Sequence, residues 1–300
     1  MTTRAIHWFR QDLRLSDNPA LFEACKTGHV LPVFIYDSTS MPKLGNGSKW
    51  WLHHSLISLN QSLNGKLKVF AGDTITTLLE VIEESRSSKV FWNRVYSPDN
   101  WNLDAKLRQI LTDKNVGYQI YNGSLLWEPS EILNQDNLPY RVFTPFYKKA
   151  CSSGPEPRLP IGLPDLASID HIETGVHITE LSLSSANIVG DKLGTNWSIG
   201  ETNANLSLTN FISQRLANYK TGRDFPALPN VSRLSPHLHF GEISPNQIWH
   251  RILALRSSMN GNSDKFLSEL AWREFAHYLL WHFPHMPYKN LQERFDEFSW

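Results

Sequence analysis

Ala5-Ile6-His7-Trp8-Phe9 and Val30-Leu31-Pro32-Val33-Phe34-Ile35-Tyr36 are two short apolar runs separated by a more polar stretch. Runs of this length are of strand type. Leu67–Ala71, Lys89–Asn93 and Tyr118–Tyr121 continue the series. Helix-like segments lie between them. Lys49–Leu63 is one. Asp73 can cap a second over Thr74–Glu84, where Ile75, Leu78, Leu79 and Ile82 recur at helical spacing. Pro98 opens a third, with Leu103, Leu107, Ile110 and Leu111 on one stripe. Alternation of this kind predicts a parallel sheet covered on both faces.

Outward from this core the character changes. Residues 1–130 read as a doubly wound, Rossmann-like α/β domain. No G-x-G-x-x-G follows the first strand, and no Walker A motif occurs, so a standard dinucleotide or ATP site is not indicated. Residues 131–204 read as a long linker. Pro155, Pro157, Pro160 and Pro164 crowd it, and residues 151–210 carry 2 basic against 7 acidic side chains. Residues 205–300 turn helical. Leu208, Phe211, Ile212, Leu216 and Tyr219 form one stripe. Pro245–Arg256 and Phe266–Phe283 are two further helices, so the region is the first part of an all-α domain.

Composition narrows the function. The 300 residues are 41% hydrophobic and 19% charged, which suits a packed core. Net charge is zero, so a strongly basic coat for nucleic acid is excluded, though a local basic face is not. Cys25 and Cys151 are too few for a disulfide framework or a four-cysteine zinc site, and no metal is expected. No apolar run spans a bilayer and no secretory signal opens the chain. A cytoplasmic monomer is expected. The 11 tryptophans are an excess that packing, stacking or redox roles would explain.

Three segments concentrate chemistry. His7–Leu21 (HWFRQDLRLSDNPAL) leaves the first strand at its carboxyl end, where open α/β sheets bind ligands; its arginines and aspartates equally suit a structural brace. Val231–Pro245 (VSRLSPHLHFGEISP), with Tyr219–Asp224 before it, offers hydroxyls, backbone amides and Arg233 to phosphate oxygens, though Ser-Pro before a helix equally suits a plain cap. Glu269–Phe275 (ELAWREF) sets Glu269, Trp272, Arg273 and Ala276 on one helical face, as a polar pocket wall or a plain Glu269–Arg273 surface pair.

In this order and spacing, the three segments resemble the cryptochrome/photolyase family, most of all class I cyclobutane pyrimidine dimer photolyases. The resemblance covers the whole chain. It implies an α/β domain for an antenna chromophore, then a helical domain for FAD. It also implies roles for single residues. Tyr219, Val231, Ser232, Arg233, Leu234 and Ser235 would contact the FAD phosphates and ribityl chain. Phe266, Glu269 and Arg273 would line the flavin cavity or its mouth. Glu269, Leu270, Ala271, Trp272, Arg273, Glu274, Phe275 and Ala276 would face UV-damaged DNA, with Glu269 on a base edge and Trp272 in apolar contact. Trp300 would end an electron relay. The implied activity is a light-dependent carbon–carbon lyase, in which excited reduced FAD splits the dimer and the protein extrudes and holds the lesion.

The sequence departs from the family pattern at Val231, Phe266 and Ile199. Family members also continue well past the position of Trp300. The expectation is therefore half a flavin cavity, poor FAD binding and little repair. Asp99 and Asn100 stand where folate-type relatives carry a carboxylate, leaving methenyltetrahydrofolate, a deazaflavin or no antenna open. Two other functions fit the sequence. One is a cryptochrome-type blue-light sensor. The other is a non-catalytic α/β chromophore-binding module.

Overall fold

The computed structural model describes residues 4–39, 44–183 and 192–298. Five strands form one parallel sheet in the order β3-β2-β1-β4-β5: β1 Arg4–Phe9, β2 His29–Tyr36, β3 Lys68–Ala71, β4 Ser87–Asn93 and β5 Gly117–Tyr121. Helices α1 Pro19–Cys25, α2 Asn46–Ser62, α3 Thr74–Ser85 and α4 Pro98–Asp113 connect them. This is the doubly wound arrangement the alternating periods predict, with the strand order reversing direction between β1 and β4. Caps set the helix starts: Asn18 accepts from the Leu21 amide at 3.1 Å and Asp73 from the Thr76 amide at 2.8 Å. Both faces of the sheet are covered. Phe9, Phe34 and Phe91 pack against α1 and α2, and Trp8, Trp92, Leu78 and Leu107 fill the other side.

The expected linker is only partly a linker. Phe143–Ser153 forms α5, and its Phe143, Phe146 and Ala150 join Leu126, Trp127 and Ile132 in a second core. The remaining helices complete that core: α6 Glu201–Gln214, α7 Ser235–Phe240, α8 Pro245–Leu253 and α9 Asn262–His282. The helical unit thus recruits chain from residue 126 onward, because the Phe143–Ala150 face would otherwise stay in water.

A buried polar seam joins the two cores. The guanidinium of Arg14 donates to the carbonyls of Asp17 (2.7 Å), Gly123 (2.6 Å) and Gly241 (3.0 Å). Glu201 accepts from the amides of Leu15 and Ser16 at 2.7 and 2.9 Å. Asp17 accepts from the Ile161 amide at 2.9 Å and from the hydroxyl of Ser244. Glu242 accepts from the Trp51 indole and the Gly200 amide at 3.2 and 3.0 Å. The HWFRQDLRLSDNPAL loop therefore acts as the brace that its charge pattern allowed. Gly241 sits at φ +71°, and a Cβ there would lie 2.1 Å from the Gln11 carbonyl oxygen, so only glycine permits this approach.

Candidate functional site

A cavity of about 440 Å³ opens where α9, the loop before α7 and the α/β domain meet. Its volume is in the range of small-molecule sites, about 300–1,000 Å³. From α9, Phe266, Glu269, Leu270, Arg273 and His277 face it, at the spacings of one helical stripe. Tyr219 enters from a single helical turn, Ser232 and Leu234 from the loop that ends in α7, and Ser235 from the first position of α7. Leu238 and His239 follow on α7 itself. Gln11, Val95, Tyr96 and Ser124 close the side nearest the sheet.

The walls divide by chemistry. Phe266 meets Tyr219 edge-on at 5.1 Å between ring centroids, giving an aromatic end. Hydroxyls of Ser232 and Ser235 and the guanidinium of Arg273 give a donor-rich end. Glu269 is neutralised by Arg223 and by Lys265, the latter at 2.8 Å. Burial pushes its carboxyl up, but hydrogen bonds from Lys265 and Arg223 outweigh this and hold it below the ordinary range. Burial, helped by the charge of Arg273, pulls the His277 imidazole down to about 3, and the same two causes lower His239. Both histidines are neutral at physiological pH. His277 Nδ1 is buried without a hydrogen-bond partner.

Seven of the nine residues expected to hold the cofactor line this cavity: Tyr219, Ser232, Leu234, Ser235, Phe266, Glu269 and Arg273. Val231 and Arg233 do not. Val231 is exposed, and Arg233, at φ +57°, turns its guanidinium onto the Trp197 ring at 3.9 Å. The stretch Glu269–Ala276 cannot face DNA as a whole, because it is helical. Ala271, Glu274 and Phe275 are buried in the second core, while Leu270 lines the cavity and Ala276 is exposed. Trp272 is 47% exposed and stacks on Phe143 at 3.8 Å and 12°. The Glu269–Arg273 pair does not form. Arg273 instead donates to Ser124 O and Glu274, each at 2.9 Å. Trp300 lies outside the described residues.

Gln11, Val95, Tyr96, Ser124, Leu238, His239 and His277 are additions that sequence reasoning missed. His277 was findable, since it follows Arg273 by four residues on the stripe already identified.

A second cavity, about 230 Å³, lies at the carboxyl ends of β1 and β2, walled by Phe9, Arg10, Phe34, Leu52, Asn100 and Leu103. Asn100 accepts from Arg10, whereas Asp99 is exposed.

The chain is a two-domain architecture: a doubly wound domain braced onto a helical unit, with a cavity of aromatic, hydroxyl and cationic groups at their junction. Residues 5–164 match the family model for DNA photolyase, and the chain belongs to that family. It is 39% identical over its full length to a deoxyribodipyrimidine photo-lyase of Agrobacterium fabrum, covering 64% of that protein. It is 30% identical to cryptochrome-1 of Arabidopsis thaliana over 99% of its length, covering 46% of that protein. A crystal structure of a bacterial class III photolyase from Agrobacterium tumefaciens superposes with a TM-score of 0.93 at 38% identity, over all of this chain and 63% of that one. The chain thus spans a little under two thirds of the length of the photolyases it matches.

Proposed function

We propose that this chain forms the antenna domain and part of the catalytic domain of a light-dependent photolyase that splits cyclobutane pyrimidine dimers in UV-damaged DNA. The observation that carries it is the 440 Å³ cavity, where Gln11 of the first motif, Ser232, Leu234 and Ser235 of the second, and Glu269 and Arg273 of the third converge. Its groups fit FAD: aromatic and apolar surface for the ring system, and hydroxyls and Arg273 for phosphate and ribityl oxygens. When bound, reduced flavin supplies light-driven one-electron chemistry.

The protein's own groups bind, orient and exclude water. Glu269 stands at the mouth, where exchanging its cations for a base edge would free Arg223 and Lys265 for DNA phosphates. Trp272, with one face on Phe143, keeps its other face open for an unstacked base. Extrusion costs a few kcal/mol, least for a damaged pair, which favours the lesion over intact sequence. The Agrobacterium similarity favours the class III subgroup over class I. The second cavity, in the crevice at the strand ends, has room for one planar ring system of an antenna chromophore such as methenyltetrahydrofolate or a deazaflavin.

The test is blue-light illumination of a dimer-containing oligonucleotide with reduced FAD and the chain extended to the length of its photolyase relatives, reading dimer content by chromatography. Light-dependent loss of dimer supports repair. Flavin binding without dimer loss overturns it in favour of a cryptochrome-type sensor.

A further inference from the structure

Arg273 is held in the cavity wall from behind. Its Nη1 donates to the Ser124 carbonyl and to Glu274 Oε1, each at 2.9 Å. Glu274 is 2% exposed, and its other oxygen accepts from the Leu126 amide at 2.6 Å. One carboxylate thus ties α9 to the chain around Ser124–Leu126 and fixes a guanidinium that lines the cavity. We propose that Glu274 is a positioning residue: it anchors Arg273 in the cavity wall and competes with an anionic ligand for the charge of that guanidinium. That the anion is the diphosphate of FAD rests on the proposed function.

The competition follows from burial. A buried carboxylate is costly unless a cation sits beside it, and Arg273 is the cation in contact with Glu274. A ligand anion that draws on the same guanidinium weakens that compensation. Glu274 answers by taking a proton. Anion binding and protonation of Glu274 therefore favour each other, and the coupling is reciprocal.

The exchange falls in an accessible range, because burial pushes the Glu274 carboxyl up to about 7. The neighbouring groups do not titrate with it. The segment ahead of it offers the Ser124 carbonyl and the Leu126 and Trp127 amides. His277 on α9 and His239 on α7 are pulled down by burial and by Arg273. Glu269, one turn back, is paired with Arg223 and Lys265. As pH falls through about 7, one proton passes from solvent to Glu274, and its hold on Arg273 lapses. The anion then binds more tightly below that pH than above it.

Two readouts test this, the first without flavin. The guanidinium nitrogens of Arg273, assigned through Arg273→Lys, are followed by magnetic resonance in the 300-residue protein. A guanidinium clamped by a carboxylate rotates slowly. Separate Nη signals are expected at about pH 8 and merged signals at about pH 6. Glu274→Gln keeps an acceptor for the Leu126 amide but carries no charge, and should give merged signals at both, with its folding checked by circular dichroism. Separate signals in Glu274→Gln at the higher pH, or signals in the parent that ignore pH, would overturn the anchoring.

The second readout is FAD titration of the same protein. The diphosphate of FAD is a diester and exchanges no proton in this range. Affinity should be about fivefold or more tighter at the lower pH in the parent and level in Glu274→Gln. Equal affinity at both pH values in the parent would overturn the competition. Absence of FAD binding would overturn the flavin reading instead, and the guanidinium signals would then decide for or against Glu274 by themselves.

Discussion

Arg14 donates from Nη1 to the carbonyl oxygen of Gly241 across 3.0 Å and 227 positions of sequence. It is 1% exposed, and burial lowers its pKa even with Asp17 beside it. Its charge is spread over three carbonyls that have few other partners. Arg14→Met should cost roughly 3 kcal/mol or more, because buried carbonyls are left unsatisfied. Urea denaturation of parent and variant measures it, and a loss below about 1 kcal/mol would contradict the bracing role.

Gly241 supplies the other side of that contact. Gly241→Ala would place a methyl group against the Gln11 carbonyl in a left-handed backbone conformation. The expected loss exceeds about 1 kcal/mol, with a lower melting temperature. An unchanged melting temperature would mean that the two cores are not pressed together there.

Glu274 gives the fold a pH dependence. It is buried, and burial pushes its carboxyl up to about 7 against the opposing pull of Arg273 and the Leu126 amide. A raised folded-state pKa means that stability is fully present below the ordinary value and is lost as pH rises through about 7. The change is on the order of 3 kcal/mol between those limits. Denaturation midpoints across that window should fall for the parent and stay nearly level for Glu274→Gln.

Trp272 stands apart from the cavity, on Phe143, with its outer face in water. Trp272→Ala should weaken binding to dimer-containing DNA about tenfold or more, the worth of one stacked base. FAD binding should be unaffected. Fluorescence anisotropy with damaged and undamaged duplexes reads the first, and flavin titration the second.

Much of this was legible before any coordinates. The strands announced themselves as apolar runs, and Asp73 and Pro98 marked helix starts that the structure retains. The helix Phe143–Ser153 was not legible, because Pro145 and the surrounding polar residues disguise a face that matters only once Leu126 and Ile132 are beside it. Seven cavity residues were found through motifs. Tyr96 and Ser124 were not, since they reach the cavity from the α/β domain through tertiary packing, and such contacts leave no local period. Arg233 stands apart from the cavity for a local reason: a positive φ reverses the chain at that residue, so its side chain leaves while Ser232 and Leu234 remain. The tryptophans sort likewise. Trp8 and Trp92 fill the sheet core, Trp127 and Trp249 the helical core, and Trp101 with Trp281 form a surface pair.

The cavity as flavin site is tested most directly by titrating FAD into the purified 300-residue protein and into Phe266→Ala and Arg273→Ala variants, following flavin fluorescence anisotropy. The prediction is weak but saturable one-to-one binding in the parent, reduced about tenfold or more in each variant by loss of an aromatic wall or a charged donor. Saturable binding that both variants leave unchanged, or no saturable binding at all, would contradict it.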